Sequence, residues 1–212
     1  MHFHDPLAFS LEAPIGSAGD AWLGVAAGIG NAVRGLGFTQ FDRLARHVRD
    51  LPYGRPARDI DPLSVLTEGR GTGSTKHRLL TCVAHSCGHY EVTLTVGIFA
   101  MSEATTPGVG AVLADAHVES IPEARCYLTI DHQRFDFTGT PRGPRSPLTA
   151  LKAEFFLTPD AVSERVRALR RQFLAQWAFE QGLSPERAWC VRQACLAAIG
   201  SPGTPASSQD RP

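Results

Sequence analysis

The chain has 212 residues, of which 43% are hydrophobic and 20% are charged, and its 21 basic side chains are balanced by 21 acidic ones. This composition is typical of a globular protein, and the lack of net charge argues against a nucleic-acid binder or a protein held at an anionic membrane. The longest apolar stretch, residues 21–33, is broken by glycines and is shorter than the roughly 20 residues of a membrane span. No basic region followed by an apolar one opens the sequence, so we expect a cytoplasmic location.

The first third of the chain predicts two helices and a long connection. A short helix is expected around residues 21–33. A second helix follows Thr39, a suitable N-cap, because apolar residues then recur every three or four positions up to Leu51. Residues 52–73 carry proline, glycine and charged residues without periodicity, which is typical of a connection.

The middle of the chain predicts a helix and β-strands. The glycine-rich residues 69–76 lead into a helix for which Ser74 is the expected cap. They match neither G-x-x-x-x-G-K-[ST] nor G-x-G-x-x-G, so nucleotide binding is not favoured. Residues 92–100 alternate apolar and polar side chains, which predicts a half-buried strand, and residues 126–138 predict a β-hairpin with its turn at 131–133.

The last third predicts a helical hairpin. Thr158-Pro159-Asp160 and Ser184-Pro185-Glu186 are both strong helix starts, and the first precedes an apolar stripe that ends at Gly182. Beyond Gly200 the composition predicts a disordered tail.

Residues 65–140 resemble a known superfamily. They place a loop of small residues before a helix, then a strand, the strand EARCYL (123–128) and the return strand FDFT (135–138). This arrangement resembles the core of the transglutaminase-like superfamily of papain-like thiol proteins. The strings GSTKH (73–77) and WCVRQAC (189–195) are similar to uncharacterised bacterial members.

The resemblance implies a catalytic triad of which one member is retained. It implies a nucleophilic cysteine at the start of the helix, a histidine on the strand pair and an aspartate opening a D-x-T string. The helix N-terminus and the imidazole would lower the thiol pKa, and the carboxylate would orient the imidazole. Asp136 keeps its position, but Gly73 stands at the cysteine position and Arg125 at the histidine position.

These replacements predict a degenerate site, as in a pseudoenzyme. Glycine offers no nucleophile, and the guanidinium of Arg125 stays protonated and cannot act as a base. Arg125 is expected either to pair with Asp136 across the hairpin or to lie exposed on an edge. Ser74, Lys76 and His77 are candidate binding residues, although Ser74 could be only a helix cap and His77 only a helix-surface histidine.

Two alternatives remain open. An active thiol hydrolase or acyltransferase would need another nucleophile, but Cys82 is expected inside the helix and Cys126 on the strand face opposite Arg125. A small zinc-binding protein would use the cluster of cysteine and histidine residues that follows Lys76, although these residues do not form a closed ligand set. That cluster consists of Cys82, His85, Cys87 and His89. The five cysteines, an odd number without a framework, are expected to be reduced thiols.

The sequence therefore predicts an α+β fold: a transglutaminase-like core, with a helix packed on antiparallel strands, followed by a C-terminal αα-hairpin. The expected units are an N-terminal helical segment (1–54), the core (55–147), the helical hairpin (148–199) and the tail (200–212). The expected function is that of a non-catalytic binding or structural module. We expect no cofactor, no metal, no nucleic-acid partner and no membrane partner, and a protein or peptide is the candidate ligand.

Overall fold

The computed structural model describes residues 28–139, 146–149 and 151–200, and within them the fold is α+β. The helices are α1 (Ile29–Gly35), α2 (Phe41–Asp50), α3 (Ser64–Thr67), α4 (Gly73–Ser86), α5 (Gly110–Asp115), α6 (Val162–Glu180) and α7 (Pro185–Gly200). The strands are β1 (Thr93–Met101), β2 (Ile121–Ile130), β3 (Gln133–Phe135) and β4 (Leu151–Leu157). Most of the predicted 21–33 helix and the predicted tail lie outside the described residues. In the described part, no helix is both long and apolar enough to cross a membrane.

The strands form one antiparallel sheet in the order β3-β2-β1-β4. The predicted hairpin is confirmed, since β2 turns into β3 through Asp131 and His132, whose φ angles are 46° and 63°. Two successive positive φ values are typical of a tight hairpin turn. In β1 the prediction of a half-buried strand is wrong. Thr95 and Phe99 are buried together with the apolar residues of the other face, because β1 is a central strand covered on both sides.

The strand β4 was not predicted, and it corrects the expectation of helices alone in residues 148–199. It pairs with β1 along its length, with Val96 opposite Phe155, and so extends the sheet of the preceding unit. The sequence LKAEFFL does carry a period-two signal, because Leu151, Ala153 and Phe155 alternate with more exposed positions. The two predicted helices that follow are present as α6 and α7.

The starts of the first predicted helices differ slightly from expectation. The N-cap of α2 is Gln40 rather than Thr39. The N-cap of α4 is Thr72 rather than Ser74: the Oγ1 of Thr72 accepts the N–H of Thr75 at 3.4 Å, and the N–H of Thr72 donates to Thr75 Oγ1 at 2.9 Å. This reciprocal capping box fixes the start of α4 at Gly73.

The helices cover the sheet in three apolar clusters. The first cluster packs α4 against α1, α2 and the β2–β3 hairpin. The second packs α7 and the C-terminal half of α6 against the end of β1 and the start of β2. The third packs the N-terminal half of α6 against β1 and β2. The α4 helix is thereby held against β2 and the segment after β3. This packing brings the start of α4 next to Asp136 and Thr138.

Candidate functional site

The centre of the candidate site is the pair predicted between Arg125 and Asp136, which is confirmed as a contact. Arg125 lies on β2, and Asp136 follows directly after β3. The Nε of Arg125 donates to Oδ2 of Asp136 at 2.7 Å, and the other carboxylate oxygen accepts the N–H of Thr138 at 2.9 Å. The carboxylate is therefore engaged on both oxygens, and the alternative of an exposed, unpaired Arg125 is wrong.

Asp136 remains ionised in this setting. Burial acts to raise its pKa, but the Arg125 guanidinium, His77 and the hydrogen bonds from Thr138 outweigh burial and lower the pKa to about 2. Arg125 thus holds Asp136 as a permanent carboxylate near neutral pH. No proton acceptor stands at the position where the resemblance implies a histidine.

The start of α4 lies against Thr138. A Cβ atom added to Gly73 would be 3.1 Å from Thr138 Oγ1, which is tighter than ordinary carbon–oxygen contact. Thr138 therefore lies beside Gly73, and its N–H donates to Asp136, so it is next to both residues that the resemblance implies as triad positions. In the sequence, Thr138 stood out only as part of the D-x-T string.

His77 is fully buried, so the alternative of a helix-surface histidine is wrong. Its Nε2 accepts the backbone N–H of Phe137 at 2.8 Å, and its Nδ1 lies 2.6 Å from the carbonyl oxygen of Gly73. Since a backbone N–H can only donate and a carbonyl can only accept, the ring is neutral with its proton on Nδ1. Burial lowers the pKa of His77 to about 4.

Lys76 is also fully buried, and its ammonium joins three segments. Its Nζ donates to the carbonyl oxygens of Arg49 at 3.0 Å, Leu51 at 2.6 Å and Thr138 at 2.9 Å. The polar atoms of Lys76 and His77, both predicted as candidate binding residues, are thus used inside the fold. Ser74, the third such residue, is half-buried and its Oγ lies 3.1 Å from Thr72 Oγ1.

The thiols of the alternative nucleophiles lie away from the start of α4. Cys126 packs in the apolar cluster under α6, on the strand face opposite Arg125 as predicted, and burial raises its pKa to about 12. Cys82 lies in the third turn of α4, where burial also raises its pKa. Neither thiol has the lowered pKa that marks an activated nucleophile.

The residues considered for zinc do not converge. His85 Nε2 lies 2.9 Å from the carbonyl oxygen of Val92, and His89 Nδ1 lies 2.9 Å from a carboxylate oxygen of Glu91. Within residues 28–139, 146–149 and 151–200, no three histidine, cysteine, aspartate or glutamate side chains are grouped so that they could hold a metal ion. The cluster after Lys76 therefore supplies no metal centre in the described part of the chain.

A second buried ionic cluster, which no sequence motif indicated, centres on Glu123, two residues before Arg125 in β2. Glu123 pairs with Arg170 of α6 at 2.7 Å and with Arg192 of α7 at 2.6 Å. These pairs tie both C-terminal helices to the strand that carries Arg125. No local pattern could have revealed them, because the partners are separated by 47 and 69 positions in the sequence.

No protein-family model, no curated protein and no solved structure matches the chain.

Proposed function

We propose that the chain is a non-catalytic domain of transglutaminase-like architecture that acts as a binding or structural module. The observation that carries this proposal is the ion pair between Arg125 and Asp136, because Arg125, at the position where the resemblance implies a proton-accepting histidine, is a permanent cation. Gly73 at the start of α4 adds that no thiol is present where the helix N-terminus would favour a thiolate.

The buried environment of the other groups supports the same proposal. His77 lies close to Asp136, with Nε2 at 3.8 Å from Oδ1, but both of its nitrogens are engaged with the backbone. It therefore cannot take a proton from a nucleophile without breaking the contact with Phe137. In the alternative of an active thiol enzyme, the thiols of Cys82 and Cys126 would have to act as nucleophiles although burial raises their pKa values.

The first test compares turnover by the wild-type chain with turnover by rebuilt variants, using a glutamine-containing peptide and a primary amine as substrates. We expect no iodoacetamide-sensitive hydrolysis or amine transfer by the wild type. Gly73→Cys alone is expected to give a fast-reacting thiol without turnover, after Thr138 Oγ1 moves by a few tenths of an ångström to admit the new Cβ. Only Gly73→Cys with Arg125→His restores the three groups of the triad.

A matched control is Gly35→Cys at the end of α1, where an added Cβ meets no atom within 4 Å. A thiol at the C-terminal end of a helix lacks the stabilisation that the N-terminal end offers to a thiolate, so it should react more slowly than that of Gly73→Cys. Robust iodoacetamide-sensitive turnover by the wild type would contradict the proposal. Its loss in Cys82→Ser or Cys126→Ser would then identify the nucleophile.

A further inference from the structure

The ionic cluster around Glu123 contains one more cation than Glu123 can neutralise. Its two carboxylate oxygens each pair with one arginine, Oε1 with Nε of Arg170 at 2.7 Å and Oε2 with Nε of Arg192 at 2.6 Å. The neighbouring residues Arg125 and Asp136 balance each other. Two guanidinium groups against one carboxylate leave a net charge of +1. Removing an unbalanced charge from water is costly, so a counter-charge from outside the chain would be favoured here.

Arg192 is the arginine that neutralises Glu123. Its side chain is only 6% exposed, its Nη1 donates to Gln193 Oε1 at 2.8 Å, and its guanidinium carbon lies 5.1 Å from the centre of the Trp189 ring. Burial lowers the pKa of Arg192, and the like charge of Arg170 also lowers it, whereas Glu123 raises it. The two guanidinium groups therefore repel each other in the folded chain, and a second anion would relieve that repulsion.

Arg170 is the arginine whose charge is in excess. Its one hydrogen bond within the described residues runs from Nε to Glu123, so its Nη groups keep their N–H donors without a protein acceptor in that part of the chain. A guanidinium carries five N–H donors in a planar fork, and four of them belong to the two Nη groups. The side chain of Arg170 is 23% exposed, so solvent reaches it.

Tyr53 borders the same cluster. It lies in the connection after α2, forms a β-bridge with Gly71 and is 59% exposed. Burial nevertheless raises the pKa of its hydroxyl, and the charges of Glu123 and Arg170 act on that hydroxyl. The hydroxyl makes no hydrogen bond to any residue that the structure describes. Tyr53 therefore offers an unused donor beside the excess cation.

We propose that Arg170 binds one carboxylate group of a ligand through its Nη donors, with the Tyr53 hydroxyl as a further donor, while Arg192 keeps Glu123 paired. The planar fork of a guanidinium matches the two oxygens of a carboxylate. A single negative charge is favoured over a dianion. The cost of removing an ion from water rises with the square of its charge, whereas its attraction to one excess cation rises only in proportion to that charge.

This inference rests on the proposed function, since it takes the module to bind its ligand rather than to transform it. It gives that ligand a chemical class, namely molecules that present an accessible carboxylate, as an acidic peptide does.

The test is a titration of the ¹⁵N-labelled full chain with sodium acetate at neutral pH, followed by NMR at ionic strength held constant with sodium chloride. We expect saturable shifts of the Nε–Hε signals of Arg170 and Arg192. Acetamide has the shape of acetate without its charge and should cause no saturable shift. Sulfate, a dianion, should bind more weakly than acetate.

Matched arginine variants separate the Arg170 site from general effects of charge. Arg170→Gln should abolish the saturable shift of the Arg192 signal, while Glu123 stays paired with Arg192. Arg165→Gln is the control and should bind acetate as the wild type does, because Arg165 is an exposed arginine on another side of α6.

A pair of tyrosine variants tests the hydroxyl. Tyr53→Phe should weaken acetate binding about tenfold, as loss of a hydrogen bond to a charged group does. Tyr90→Phe is the control, because Tyr90 is also exposed but lies between α4 and β1. Equal binding by Tyr53→Phe and the wild type would contradict the role of the Tyr53 hydroxyl.

Three results would overturn the inference: no saturable shift with acetate, an equal response to acetamide, or binding by Arg170→Gln as tight as that of the wild type. Tighter binding of sulfate than of acetate would overturn the assignment to a carboxylate. Thiol-dependent turnover by the wild type would contradict the proposed function instead, so the two failures are read out by different measurements.

Discussion

Protonation of His77 is expected to destabilise the fold as the pH falls below neutrality. The neutral ring accepts the N–H of Phe137 on Nε2, and a proton on that nitrogen would set two donors against each other. Burial lowers the pKa of His77 from 6.5 to about 4 in the folded chain. Because the folded pKa is the lower one, the unfolded chain binds more protons between these values, and the free energy of unfolding falls as the pH decreases.

The size of this effect follows from the two pKa values of His77. Each pKa unit corresponds to about 1.4 kcal/mol, so the contribution present above pH 6.5 and lost by about pH 4 is roughly 3 kcal/mol. Asp136, whose pKa is lowered from 3.8 to about 2, loses its contribution mainly at lower pH. Glu68, Glu103 and Glu154, whose pKa values are lowered from 4.5, lose part of theirs as the pH falls below about 5. The upper part of the window, between pH 6.5 and about 5, therefore reports mainly on the imidazole.

The assay is urea denaturation at a series of pH values, combined with ¹⁵N NMR of the histidine side chains. The NMR spectrum should show His77 with its proton on Nδ1 and without titration near pH 6.5. His132→Asn is the control, because His132 is exposed at the hairpin tip and its loss should leave the pH profile nearly unchanged. A proton on Nε2 of His77 at pH 7, or titration of that ring near 6.5, would refute the reasoning.

Three further predictions concern the packing of the chain. Gly139→Ala should destabilise the chain several times more than Gly182→Ala in thermal unfolding. Both glycines have positive φ, which costs about 1 kcal/mol for alanine. At Gly139, however, the new Cβ would also lie 2.0 Å from a backbone carbonyl oxygen of α2, whereas at Gly182 it would meet no atom within 4 Å. Equal losses would show that the close approach of α2 is wrong. Lys76→Met should lower the free energy of unfolding by roughly 3 kcal/mol, because three carbonyl oxygens lose their donor; a neutral change in urea denaturation would contradict this. In native alkylation followed by mass spectrometry, the exposed Cys190 should be modified first and Cys126 last, because burial raises the pKa of Cys126 to about 12. Early modification of the Cys126 thiol would contradict its buried packing.

Local patterns in the sequence were sufficient for much of the secondary structure. The helix starts before α6 and α7 carry proline in the first turn, and the hairpin between β2 and β3 has polar residues that tolerate positive φ. The pairing of Arg125 with Asp136 was also predictable, because both residues flank the same short turn and the hairpin register is set by local geometry. Signals of this kind act over a few residues and need no knowledge of distant segments.

The sequence by itself determined the helical stripes, the hairpin and the absence of a thiol and an imidazole at the two positions aligned by the resemblance. Only the tertiary structure decided which polar groups are buried and by what they are satisfied. Lys76 is held by carbonyls 25, 27 and 62 positions away, and Glu123 by arginines on two distant helices. The physical reason is that burial and hydrogen bonding depend on which segments pack together. The strand β4 joins the edge of the sheet, and α6 and α7 cover the sheet, through contacts between segments that are distant in the sequence.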